Sequence, residues 1–548
     1  MSATRNRWIG LVFISMAISL VIIDGTIVNT IFPNVIRALD LSSTAVQWVQ
    51  ESYVLVFASL LLVWGSLADR LGRKFVLVLG IAIFVGSSVW AGLSLDASSM
   101  IAARVLQGIG GSMVLPTTLS LVNANFQGKE RGIAFAVWGA TIGGMVAIGP
   151  VLGGWLAGID FKGFQIFDYT VPEGGWRLAF DINLPLGLIV IAGLLYWVGE
   201  SKQEQRAGGI DVVGALISSV MFLTLVFGLI EGRVYGWWEQ TSTQFQLGDF
   251  KWATGQISII PISLAISVVA FVAFYFWERY REKAHKNVLL DLNLFKIASF
   301  RNGSIAALII SMGEFGLLFA IPLWLQNVLN LSPIDSGLVL LFLAGGAFLA
   351  SGAAGALSGK VPAATVVRIG VALELAAVVT VALFANVDAG WVSIAPSLFI
   401  YGIGVGMATA QLTGVIMVDV PVEKAGQGSG TQSTARQVGS ALGIAVLGTM
   451  LFTGTQNSID TRLAALDVPT KQATTISKVV VDSAGSAIPQ LKKALVAQHI
   501  PAAKADEIVT AAGDGFTEGT KFSAWAAGAF LGLGFLSTFR LGSRKRKQ

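Results

Sequence analysis

Several ionisable residues fall inside stretches that are otherwise apolar. In such places a charge pairs with another group or has chemistry to do. Asp24 stands in SLVIIDGTIVNT (residues 19–30), the only charged residue between Trp8 and Ile36. Arg104 stands in MIAARVLQGIGGSM (100–113), Glu314 in IISMGEFGLLF, Glu374 in VALELAAV and Glu51 in WVQESYVL, while Arg436 opens a later apolar run. A carboxylate at the centre of a bilayer costs roughly 2.5–3.5 kcal/mol on insertion scales, so its presence implies a partner or a task. The task open to a carboxylate is to take up and release a proton or to hold a cation. The two histidines, His285 and His499, fall in predicted loops, so a proton path through these runs depends on carboxylates. There are no cysteines, which excludes disulfides, thiolate zinc sites and thiol redox chemistry. A phosphate-cradling G-x-x-x-x-G-K-[ST] is absent; GALSGKV comes nearest, without the first glycine or the hydroxyl after lysine. Metal-ligand clusters and nucleophile–base constellations are missing too, so neither an enzyme nor a cofactor is expected. Energy for any work must come from an ion gradient or from the substrate itself.

Membrane helices have to carry these residues. Of 548 residues, 54% are hydrophobic and 13% charged, against about 25% charged in a typical soluble domain. About fourteen apolar runs of roughly 20 residues each match a ~30 Å hydrocarbon core. The pattern predicts an all-α polytopic membrane protein, with spans near 8–36, 46–68, 76–94, 98–122, 133–157 and 178–199. Two more lie near 211–231 and 256–277, and six near 303–329, 334–358, 364–385, 391–418, 431–453 and 521–541. The first run is too long for a cleavable leader, lacks a small-residue cleavage site and contains Asp24. Basic residues sit in alternate loops: Arg5 and Arg7, then Arg70, Arg73 and Lys74, then Lys129 and Arg131, Lys202 and Arg206, RYREKAHK, and the final RKRK. That bias puts both termini in the cytoplasm and accounts for the net charge of +5 without nucleic acid. The opposite loops include aromatic-rich 233–253 and a polar stretch at about 454–520 with amphipathic helical character (IPQLKKALVAQHI).

Local motifs refine the plan. GSLADR (65–70) returns as GALSGK (355–360), an internal echo expected of a chain built from two related halves. Six spans, two extra and six more give units 1–200, 201–290 and 291–548, with an outer insertion at 454–520. In GSLADRLGRK (65–74), Gly65 and Gly72 allow a tight turn. Asp69 closes the second span, where it can pair with Arg73 or face a neighbouring helix N-terminus. Contacts of that kind can latch one half against the other and break when the protein rocks. GxxxG pairs at 139–143, 149–153, 402–406 and 439–443 predict close helix approach. Trp48, Tyr53, Trp138 and Trp324 offer rings that can stack on flat cations or simply pack.

In its position, GSLADRLGRK resembles the signature loop of the major facilitator superfamily, with Gly65, Asp69, Arg70, Gly72, Arg73 and Lys74 as the cytoplasmic gate. MIAARVLQGIGGSM resembles that family's fourth-helix motif, whose arginine is Arg104. IGPVLGGWL (148–156) resembles the fifth-helix motif of antiporters, carried here by Gly149, Pro150, Gly153 and Gly154, with imperfect upstream glycine spacing. VIIDGTIVNTIFP resembles the first-helix motif of drug:proton antiporters. GWRLAFDINLPLG, PLWLQNVLNLSPIDSGL and AGQGSGTQSTARQVGSALGIAVLG resemble later segments of the fourteen-span subfamily, which includes quaternary-ammonium and multidrug exporters. The resemblance implies two six-helix bundles plus two extra central helices. It also brings Asp24 close to Arg104, where burial and the arginine act on the aspartate's proton affinity in opposite senses. Asp24, Arg104 and Glu314 are then the expected proton-coupling residues. Glu51, Tyr53, Trp138, Gln326 and Glu374 are the substrate-cavity candidates, with Glu374 in a span that a structural or lipid-facing role suits equally well. Arg436 is read as a satisfied polar residue rather than a ligand.

The expectation is therefore a secondary transporter in the cell membrane that exports lipophilic or cationic compounds in exchange for protons, working as a monomer. Export of a lipid or other amphiphile, with 454–520 as a handling surface, is the nearest alternative. IGPVLGGWL counts against an uptake symporter. A non-transporting receptor or scaffold would need neither the intramembrane charges nor the gate loop, and would survive neutralisation of Asp24.

Overall fold

The computed structural model describes residues 3–39, 41, 43–166, 169–201, 211–241, 244–247, 250–253, 255–357 and 360–541. A bilayer offers no water to bare N–H and C=O groups, so each apolar run satisfies its backbone internally as a helix. The first group is α1 (Ala3–Leu39), α2 (Ser43–Leu71), α3 (Arg73–Leu93), α4 (Ala97–Asn125), α5 (Gly128–Ala157), α6 (Gly175–Asp181) and α7 (Asn183–Trp197). There follow α8 (Val212–Tyr235) and α9 (Ile259–Lys283). The second group is α10 (Ala298–Asn327), α11 (Pro333–Leu357), α12 (Ala363–Phe384), α13 (Ala395–Met417) and α14 (Ala425–Ala465). After α14 come the short α15 (Thr470–Asp482) and α16 (Ile488–Ala497), and then α17 (Ala502–Thr538). Among the described residues, twelve helical stretches are long and apolar enough to cross a membrane, α6 and α7 counting together as one.

Within the first group α1 packs on α5, and α4 lies between α2 and α3. Within the second, α14 packs on α10 and α17, and α13 on α11 and α12. Helices α8 and α9 pair with each other, and α8 leans on α2 and α14. They are the least enclosed of the spans, with Val269, Val272 and Phe276 pointing outward, as lipid-facing residues should. The two groups meet where α5 touches α11 and α13, and where α2 touches α14. Close approach depends on glycine. A Cβ on Gly402 or Gly406 would strike the backbone of Leu343 or Ala347, and one on Gly439 or Gly443 that of Leu308 or Met312. The expected GxxxG contacts are therefore present at α11–α13 and α10–α14.

Three expectations change. The stretch from 454 is not loop: α14 continues to Ala465 and α17 begins at Ala502, so 41- and 37-residue helices project beyond the bilayer. The end of α14 and the start of α17 make a small core with α15 and α16, where Ile459, Leu463, Ile476, Leu491, Ile508 and Phe516 are buried. Apolar runs mark only the lipid-immersed part of a helix, so hydropathy stops short of its end. The sixth span also begins earlier and is broken at Ile182, between α6 and α7. Finally, Phe164–Ile166 pairs antiparallel with Tyr169–Val171, and Gln246–Leu247 with Phe250–Lys251.

Candidate functional site

Asp24 sits in the middle of α1 and is 1% exposed. Its Oδ2 accepts from Arg104 Nη1 of α4 at 2.8 Å. Its Oδ1 accepts from Gln107 Nε2 at 2.6 Å and from Asn183 Nδ2, at the start of α7, at 3.2 Å. Arg104 also donates to Gln107 Oε1 at 2.7 Å, and its guanidinium lies over the Tyr53 ring, 4.4 Å from the centroid. Asn183 in turn donates to Ser88 at 2.9 Å. The α-helical spacing of Arg104 and Gln107 puts both on one face, one turn apart, toward α1. The arrangement compensates a buried charge with a countercharge and hydrogen bonds, the condition under which burial is tolerated.

The glycines of IGPVLGGWL let α5 approach α1 and α11 closely. A Cβ on Gly149 would strike the side chain of Thr26, two residues from Asp24, and one on Gly154 would lie 2.5 Å from Ile334 of α11. Gly153 is buried, and the Pro150 side chain lies outside the described residues.

The GSLADRLGRK turn is a latch between the two helix groups. Asp69, 2% exposed, accepts from Arg73 Nε and Nη2 at 3.0 and 2.8 Å. The same carboxylate accepts the backbone N–H groups of Gly426 and Gln427, at the start of α14, at 2.9 and 3.2 Å. Both expected partners are thus engaged at once: an arginine and a helix N-terminus, which favours negative charge. Arg73 adds bonds to the Val422 carbonyl at 2.7 Å and to Ser201 at 2.9 Å. Gly72 takes φ 114°, and a Cβ there would meet the Glu200 carboxylate. That carboxylate accepts the N–H of Lys74 and of Phe75, both at 3.0 Å, and so caps α3. A Cβ on Gly65 would lie 2.6 Å from the Gly426 carbonyl, so α2 and α14 touch backbone to backbone. Arg70 ends α2 beside this contact. Higher on the seam, Ser120 and Ser429 bond at 2.7 Å.

A second set of charges lies in the other group of helices. Glu314 of α10 is 4% exposed and 3.4 Å from Arg436 Nη2, while Tyr401 donates to the Glu314 carbonyl at 3.2 Å. Arg436 lies three turns inside α14 rather than at its start, and it serves as the partner of Glu314. Glu374 is fully buried against Gly404 of α13, which rules out a lipid-facing position. Among the described residues neither of its carboxylate oxygens has a hydrogen-bond partner.

The aromatic candidates are packed. Trp324 is fully buried with its N–H donated to Thr517 at 2.9 Å, and Trp138 is buried and bonded to Thr118 at 3.3 Å. Trp48 stacks on Phe227. Gln326 is half-buried near the end of α10, and Glu51 falls in α2 with its side chain outside the described residues. Gln107, Asn183 and Ser429 were not singled out from sequence. The first lies inside the quoted fourth-helix stretch and the second inside DINLPLG, so a polar residue in an apolar run was the available signal.

Comparison with known proteins agrees with this layout. The chain matches the Major Facilitator Superfamily over residues 14–260 and 215–444. It is 28% identical to the multidrug efflux pump LfrA of Mycolicibacterium smegmatis, covering 97% of this chain and 98% of that one. It is 28% identical to the multidrug resistance protein Stp of Mycobacterium tuberculosis, over 98% of this chain and 92% of that one. With the probable actinorhodin transporter of Streptomyces coelicolor it shares 32% identity over 82% of this chain and 73% of that one. The crystal structure of the human organic anion transporter MFSD10 has the same fold, with a TM-score of 0.58 at 11% identity, covering 97% of this chain and 99% of that one. Membrane helices in two packed groups, a latch joining them and a compensated charge inside one of them are the parts of a carrier, and the chain belongs to the major facilitator superfamily as a transporter rather than an enzyme.

Proposed function

We propose that the protein is a proton-coupled antiporter that exports lipophilic or cationic small molecules by alternating access. The observation that carries this reading is Asp24, buried in α1 and held, among the described residues, by donors from Arg104, Gln107 and Asn183. Protonation from the more acidic face releases Arg104 and Gln107, the helices around α1 shift, and the proton leaves on the other side. A cationic substrate competes for the same negative charge, so proton and substrate exchange. Glu314 with Arg436, and Glu374 behind them, form a second charge-handling site in the other half. Glu51, Tyr53, Trp138 and Gln326 are assigned to the substrate path, with the rings freed when the halves rock. The Asp69 latch holds the gate shut between strokes, and the Gly149–Gly154 stretch of α5 limits proton leak.

Multidrug and antibiotic-resistance relatives support export, and the riboflavin transporter RibZ of Clostridioides difficile, 26% identical, warns that cargo varies within the family. Buried carboxylates favour cations, including quaternary ammonium compounds. We assign α5 and α17, helices of 30 and 37 residues, as two further spans beside the twelve, which would make fourteen. We assign 1–200 and 291–548 to the two bundles, 201–290 to the extra pair, both termini to the cytoplasm and the working unit to a monomer without a cofactor. The test is uptake of a fluorescent lipophilic cation into liposomes under an imposed pH gradient. Wild type should accumulate it and Asp24→Asn should not; gradient-driven uptake by both would remove Asp24 from the coupling.

A further inference from the structure

The two extra helices border a half-open cavity that the transport reading does not use. It has a volume of about 820 Å³ and lies between α8, α9, α10 and α14, with Leu62 of α2 at its back. Phe222, Phe271 and Leu308 represent its apolar lining, whereas Arg279, Lys296 and Arg301 stand at its rim. The cations are not scattered. Arg279 is in the last turns of α9 and Arg301 in the first turn of α10, with Lys296 in the connection between them, so all three stand at one end of the cavity. Phe271 and Leu308 lie about two turns further along the same helices, roughly 10–12 Å deeper at 1.5 Å per residue. Lys296 and Arg301 are exposed with no acidic partner within ion-pair distance among the described residues; Arg279 has one loose pair, with Glu282 at 3.8 Å.

A ligand that fits has an anionic head and an apolar tail about as long as the cavity is deep. We infer that this cavity binds an anionic phospholipid, with its phosphate among Arg279, Lys296 and Arg301 and an acyl chain between α9 and α10. A basic pocket between spans at the headgroup level is a setting in which anionic lipids are held, each cation contributing about a fivefold preference. A cationic cargo would be repelled from the same mouth. The inference stands apart from the proton-coupled reading, since it uses none of the residues assigned to it.

The experiment is native mass spectrometry of the full-length protein taken from nanodiscs of equal parts phosphatidylglycerol and phosphatidylcholine with identical chains. Wild type should retain phosphatidylglycerol preferentially, and Arg279→Gln, Lys296→Gln and Arg301→Gln should each cut that preference about fivefold. Because Lys296→Gln and Arg301→Gln break no ion pair, they test the idea even if Arg279→Gln folds poorly. Leu308→Trp, which fills the cavity, should lower retention of both lipids. Millimolar inorganic phosphate should leave retention unchanged, since the acyl chain holds the lipid. Equal retention of the two lipids by wild type, an unchanged preference in the variants, or displacement by phosphate would each overturn the proposal.

Discussion

Replacing Asp69 with alanine should open the latched end of the protein. The substitution removes two hydrogen bonds to Arg73 and, more to the point, two that cross to α14, from the N–H groups of Gly426 and Gln427 at 2.9 and 3.2 Å. A hydrogen bond to a charged group contributes about 1.5–3 kcal/mol net. Water takes over these bonds once the helices part, so the lower figure applies and the pair holds the gate by about 3 kcal/mol. That is roughly a hundredfold in population, enough to bring a 99:1 closed-to-open ratio near parity. Arg73 keeps its bond to the Val422 carbonyl at 2.7 Å, but its guanidinium is left buried without a carboxylate, which favours opening further. The chain has no cysteine, so Phe75→Cys and Val418→Cys introduce the only thiols, at positions 54% and 48% exposed on opposite sides of the seam. Electron–electron double resonance between spin labels there should give one short distance in the parent. The Asp69→Ala background should add a second, longer population of comparable size. A distance distribution that Asp69→Ala leaves unchanged would refute the latch.

Other outcomes follow from the same packing. Arg104→Ala, which strands the Asp24 carboxylate, should destabilise the protein by about 3–5 kcal/mol in thermal unfolding. Asp24→Asn combined with Arg104→Gln should regain most of that stability without regaining gradient-driven transport. Gly402→Val forces a side chain onto the Leu343 carbonyl and should cost about 1–3 kcal/mol of stability. Gly352→Ala, which meets nothing within 4 Å, should be neutral or stabilising in the same assay. Outside the spans, partial burial pushes the Asp291 carboxyl up, but Lys424 and the N–H of Asn293 outweigh it and hold it below the usual carboxylate range. A depressed folded value means stability that is present above the unfolded value of about 3.9 and lost as pH falls through the folded one. Melting temperature should therefore be insensitive to this pair near neutrality and drop in strong acid. Lys424→Met should flatten that acid-side slope.

The charges were legible in the sequence because a carboxylate in an apolar run has no neutral explanation. Asp24, Arg104 and Glu314 stand out by hydropathy alone, and Asp69 by its place in a glycine-bounded turn. Their uncharged partners were not legible. Gln107 and Asn183 barely lower the hydropathy of their spans, and only the packing of α1, α4 and α7 shows that they converge on one carboxylate. The latch has a similar history: its partner is a backbone N–H more than 350 residues away, and a backbone group leaves no residue signature. The order of the helices followed from the apolar runs, whereas the far ends of α14 and α17 did not, because polar helix outside lipid reads like loop. Glu374 looked peripheral since its span is apolar on all sides, but a wholly apolar helix fits an interior position equally well.

The central claim is that proton and substrate compete for Asp24. Purified protein in weakly buffered detergent solution, acidified until Asp24 carries a proton and then mixed with a saturating lipophilic cation, should release protons, read by a pH dye. Asp24→Asn, still folded and still binding the cation, should release none from this site. Undiminished proton release by Asp24→Asn would contradict the account.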